Sequence, residues 1–112
     1  MGKTMAIRPD TENEVIHVGV GCRSHGDIVG IGDSRFTALV TYSVTPGTEE
    51  YLGHGRDDAA LSPRVNWAAC GDVSPAEARR FALAILQAAE AAEALVPKVI
   101  AARDAHAAAK AE

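Results

Sequence analysis

Hydrophobic and polar positions alternate in runs up to residue 69 and take a helical period after Val73, and this change outlines the elements of the chain. From Glu14 to Cys22 the pattern alternates. Ile16, Val18, Val20 and Cys22 fall on one side, with Val15, His17, Gly19 and Gly21 on the other, which is the two-residue period of a strand. Arg23-Ser24-His25-Gly26-Asp27 has the composition of a turn, and Ile28–Ile31 reads as a short second strand completing a hairpin. Phe36, Ala38, Val40, Tyr42 and Val44 then alternate with Thr37, Leu39, Thr41, Ser43 and Thr45, the longest two-periodic run in the chain, closed by Pro46-Gly47. Residues 53–58 have no periodicity and read as a loop. Arg64 to Ala69 gives a last strand with Val65, Trp67 and Ala69 on one face.

After Val73 the period becomes helical. Ser74-Pro75-Ala76-Glu77 places Ser at the N-cap, Pro at the first helical position and Glu three residues after the cap, the arrangement of a capping box. Phe81, Ile85, Ala88, Ala92, Leu95 and Val99 follow at spacings of three and four, which makes one apolar stripe. Ala78, Ala82, Ala89 and Glu93 form a second line of mostly small residues beside it. Pro97 interrupts the pattern. Its ring opposes the carbonyl four residues back, so a kinked helix or two abutting helices is expected there. The expected fold is α+β: an antiparallel sheet of about four strands covered by a C-terminal, Pro-kinked, Ala-rich helix. One domain spans 1–112, with 1–13 as a loose arm or edge segment, 14–70 as sheet and 74–110 as helix. The expected core comprises Ile16, Val18, Val20, Phe36, Val40, Tyr42, Trp67, Phe81, Ile85 and Leu95.

Composition sharpens this division. All ten Gly precede residue 73, and 16 of the 22 Ala follow it. Apolar residues make up 47% and charged residues 23% of the 112 positions, the balance of a globular domain. No apolar run reaches the ~20 residues of a membrane-spanning helix. The N-terminal stretch lacks the apolar core of a secretory signal, and two cysteines do not make a disulfide framework. A cytoplasmic protein with no membrane association is expected. The net charge is −4, carried entirely by residues 1–73. Neither half has the basic excess that gripping a phosphate backbone requires, and Arg23, Arg35, Arg56 and Arg64 are scattered among Asp27, Asp33, Asp57 and Asp58. Nucleic acid is therefore not an expected partner.

The candidate chemistry is sparse. Gly19-Val20-Gly21 lacks the third glycine and the following helix of a dinucleotide-binding loop. Cys22 and His25 have the close spacing of a zinc-ligand pair, and His54 and Cys70 could complete four ligands. Structural zinc sites bring two such close pairs, and this chain has one. A nucleophilic site could be drawn from Cys22 or Cys70 with His25 or His54 and Asp57, but no nucleophile-elbow sequence is present. No catalytic residue and no cofactor is assigned. The line Ala78, Ala82, Ala89 and Glu93 permits close approach of a second helix, and a core with only five aromatic residues favours burial by dimerisation.

The segment Arg64–Ala94, with Asp72-Val73-Ser74-Pro75-Ala76-Glu77-Ala78-Arg79-Arg80-Phe81-Ala82 at its centre, resembles small uncharacterised proteins of actinobacteria and their phages. In those, strands are followed by a helix opening S-P-x-E-A-R. The resemblance covers about a quarter of the chain, rests on capping and packing residues, and implies a source of that kind without an activity. The expected function is a small non-enzymatic protein-interaction or regulatory protein, a homodimer, in keeping with a phage-encoded modulator of a host protein. The alternative is a small enzyme or ligand-binding domain using the His, Asp and Cys residues of the loops.

Overall fold

The computed structural model describes residues 6–18, 23–31, 37–45 and 61–111. Among the described residues the fold has four strands and one long helix: β1 (Arg8–Pro9), β2 (Ser24–Val29), β3 (Thr37–Thr45), β4 (Ser62–Cys70) and α1 (Pro75–Ala111). The sheet is antiparallel throughout in the order β1-β2-β3-β4, so each strand lies beside its neighbour in the chain. The register aligns Ser24 with Val44, Gly26 with Tyr42, Val40 with Trp67 and Tyr42 with Val65. The α+β class, the antiparallel four-stranded sheet and the covering helix are as the hydrophobic pattern predicts.

Helix α1 lies across one sheet face. It begins at the predicted capping box: the Glu77 amide donates to Ser74 Oγ at 3.2 Å, and the Ser74 amide donates to Glu77 Oε1 at 3.0 Å. Ala84, Ala88, Ala92, Leu95 and Val99 are buried against Val40, Tyr42 and Val44 of β3 and Ile28 of β2. Small alanines at three of those helix positions let the helix sit close to the sheet. The chain does not break at Pro97, and α1 runs through it as one helix of 37 residues. Its length, about 55 Å at 1.5 Å per residue, sets the 56 Å long axis of the molecule.

The first hairpin is built differently from the expectation. Residues Ser24–Asp27, read as a turn, are paired strand, and of residues 14–18 only Val15 pairs, in a single bridge to His25. Packing overrides turn propensity here. Gly26 lies directly under the Tyr42 ring, and a Cβ on Gly26 would collide with the phenol, so this glycine is demanded by a close approach within the sheet rather than by a turn. The edge of β2 is occupied instead by an interrupted arm: β1, a 3-10 turn at Thr11–Asn13, and the Val15 bridge. Of the expected loose arm or edge segment, the described residues 6–13 form an edge segment, and Ile7 joins the core.

Several expected core residues are not buried. Ile16 is 40% and Trp67 63% exposed, Phe81 and Ile85 are partly buried against the core, and Val20 and Phe36 lie outside the residues whose side chains are described. Val40, Tyr42 and Leu95 are fully buried as expected.

Candidate functional site

One polar network locks the arm, the sheet and the helix together. Tyr42 rises from the middle of β3, and its hydroxyl donates to Glu14 Oε2; Lys98 Nζ of α1 donates to Glu14 Oε1 at 2.8 Å. The Glu14 side chain is almost fully covered, so its charge is held by two donors in a poorly hydrated position. Burial raises the Tyr42 pKa well above the ordinary 10.0, with the Glu14 hydrogen bond and the negative charges of Glu14, Asp27 and Asp10 adding to it. The folded state therefore favours the protonated phenol. That contribution is complete below pH 10, the unfolded tyrosine value, and is lost as pH rises above it. Alkaline titration of the unfolding free energy should show a steep loss beyond pH 10 that is absent in Tyr42→Phe; superimposable pH profiles would refute the assignment. This network is read as structural, since both carboxylate oxygens of Glu14 are already engaged by Tyr42 and Lys98.

The sheet face away from α1 carries a different set of groups. Across the strands, His25 aligns with Ser43 and Ser43 with Arg64, while Asp27 aligns with Thr41 and Thr41 with Asn66. His25, Asp27, Thr41, Ser43 and Asn66, with Arg23 and Tyr42, line a depression of about 450 Å³. Ser43 is 2% exposed, and its Oγ has no hydrogen-bond partner among the described residues. The His17 and His25 rings lie 6.2 Å apart beside it.

The predicted metal set is not assembled by what the structure describes. Cys22 and His54 lie outside the described residues. His25 is on β2 and Cys70 is at the far end of β4, separated by β3 and about 20 Å of strand. Among the described residues no three His, Cys, Asp or Glu side chains come together to hold a metal ion. His25 also lies on a strand rather than in the loop expected of it. Of the alternative catalytic set, Asp57 is likewise outside the described residues.

The other candidate region is the β4 edge with the flank of α1 above it. All of Pro63, Arg64, Asn66, Trp67, Ala68, Ala69 and Cys70 are exposed, and among the described residues nothing pairs with the outer side of β4. Trp67 stacks edge-on against Phe81 at 6.2 Å yet keeps most of its surface open. On the helix, Ala78, Ala82 and Glu93 are exposed, and Ala89 is half-buried. Ala89 and Glu93 line a groove of about 190 Å³ with Pro63, Val65 and Ala92, which fixes the small-residue line on the β4 side of the helix. The opposite flank, with Arg80 and Lys98, faces the β2 side, where Arg80 donates to the Gly30 carbonyl. Leu86, 62% exposed, continues the β4 flank outward.

Sequence reasoning finds the helix line and misses the strand edge beside it. The missed signal is Pro63. A proline within a strand removes one ladder hydrogen bond and so belongs at a sheet edge with its nitrogen facing outward. Comparison with family models, with curated proteins and with solved structures finds no match. Among the described residues no helix is long and apolar enough to cross a membrane.

Proposed function

We propose that this is a small non-enzymatic interaction protein that self-associates through the β4 side of α1 and acts on another protein rather than on a substrate. The observation that carries the reading is the coincidence on one side of the molecule of exposed Trp67 and Leu86 with the Ala78, Ala82, Ala89 and Glu93 line. Large apolar side chains left open beside small ones that admit a neighbour are the composition of an interface rather than of a solvated helix. A reducing, cytoplasmic setting suits the free, exposed Cys70. Ala82→Glu places a charge in the middle of this flank without touching the buried stripe. It is expected to weaken self-association at least tenfold, about 1.4 kcal/mol, with circular dichroism unchanged. Sedimentation equilibrium giving equal dimer fractions for wild type and variant would overturn the reading.

A second reading places a small anionic ligand on the polar sheet face. It is favoured by the covered Ser43 hydroxyl, which has no partner among the described residues and which a ligand oxygen would satisfy, and by Arg23 and Asn66 at the same depression. Calorimetric titration with citrate should then give binding that Arg23→Ala abolishes. No heat with the wild type, or equal heat with the variant, removes this reading.

A further inference from the structure

We propose that the partner at this surface is a second copy of the chain, joined edge to edge through β4, so that two four-stranded sheets become one continuous antiparallel sheet of eight. The inference rests on the self-association reading above and specifies its geometry. A nine-residue edge strand is long for an exposed edge, and among the described residues the only usual protections β4 carries are Pro63 and Arg64. With the Pro63 nitrogen facing outward, the residues presenting their backbone groups outward are Pro63, Val65, Trp67 and Ala69. One register of an antiparallel β4–β4 pair uses the whole strand. It sets Ser62 opposite Cys70 of the second copy, Val65 opposite Trp67, and Asn66 opposite itself on the two-fold axis. In that register the outward amides of Val65, Trp67 and Ala69 all find carbonyls across the axis, and only Pro63 has no hydrogen to donate.

The layer above the sheet fits the same arrangement. Helix α1 is seated on β3 and reaches β4 at Val65 and Trp67, so its axis stands about one and a half strand spacings, about 7 Å, from the two-fold axis. Two copies then place their helices antiparallel at about 14 Å, wider than direct helix packing, and the small-residue lines flank the space above the paired β4 strands, on the side that Val65 and Trp67 of both copies face. Trp67 of each copy stands beside Val65 of the other, at the mouth of the groove formed by Pro63, Val65, Ala89, Ala92 and Glu93. An indole there would cover the largest exposed side chain of the strand. Glu93 comes against the first turns of the second copy's helix, where Arg79 and the positive end of the helix dipole complement its charge. A strip about 30 Å long and two layers deep buries on the order of 1,200 Å² in total, the lower bound of stable specific interfaces.

The test uses the full chain. In a Cys22→Ser, Cys70→Ser background, Asn66→Cys places two thiols across the axis at a non-hydrogen-bonded pair, about 4.5 Å between Cα atoms. Mild oxidation is expected to give a covalent dimer in high yield. Ala68→Cys in the same background, about 13 Å from its own copy in this register, is expected to remain uncrosslinked. In the unmodified protein, hydrogen exchange at the amides of Val65, Trp67 and Ala69 should slow as concentration rises through the dimerisation range. A protein that stays monomeric at all concentrations overturns both this proposal and the reading beneath it. A dimer that Ala82→Glu dissociates overturns strand pairing alone if its Asn66→Cys variant stays uncrosslinked and its edge amides exchange at a concentration-independent rate.

Discussion

Leu95→Ala is expected to lower the unfolding free energy by about 3–4 kcal/mol, within the range for leucine truncations in closed cores. Leu95 is fully buried where α1 crosses β3, and its neighbours on the helix, Ala88, Ala91 and Ala92, are too small to move into the space it leaves. The surrounding β-branched residues Val40 and Val44 are held in a paired strand and have little rotamer freedom. The cavity term therefore stays large. A domain of this length holds roughly 5–15 kcal/mol in all, so at least about a fifth of the stability is expected to go. Urea unfolding followed by circular dichroism measures it; a change below about 1 kcal/mol would mean that the helix is not seated on β3 at this point.

Legibility of the fold follows from the range of the forces involved. The helix start is readable because Ser74 and Glu77 satisfy each other's backbone within three residues. The buried stripe is readable because Ala88, Ala92, Leu95 and Val99 all meet one sheet, which leaves a period in the sequence. Strand β3 is readable because it lies in the middle of the sheet and its Val40, Tyr42 and Val44 face the helix. What is not readable depends on residues far apart in sequence. Glu14 and Tyr42 are 28 positions apart, and nothing local marks either as the other's partner. Arg23 to Asp27 has turn composition, and it becomes strand because β3 offers a ladder and Tyr42 needs a glycine beneath it. Size and period together place Trp67 in the core. The period is right, since Trp67 does face the helix side, but β4 is the last strand among the described residues, and the helix passes inside it. The candidate site divides the same way: the helix half shows as a line of alanines, whereas the strand half appears only once the sheet order is known.

Gly26→Val is expected to have an effect of similar size through the opposite cause, an excess of volume. The position is buried on β2, opposite Tyr42 in the ladder, and the first added carbon already overlaps the phenol ring and oxygen. Tyr42 cannot swing aside, because α1 covers it and its hydroxyl is held by Glu14, itself tied to Lys98. The sheet must separate or the Tyr42–Glu14 bond must break, leaving a buried carboxylate with one donor fewer. Overpacking alone costs about 1–3 kcal/mol, and loss of a hydrogen bond to a charged group adds about 1.5–3 kcal/mol. A total near 4 kcal/mol is expected, where an exposed strand glycine would gain from valine's higher β-propensity. The sign separates the two situations. The double variant Gly26→Val, Tyr42→Ala supplies the control, because removing the ring should relieve the clash and make the glycine substitution nearly neutral in that background. Additive losses in the double-mutant cycle would mean that the ring does not lie over Gly26, and with it would go the account of why a sequence with turn composition is paired strand.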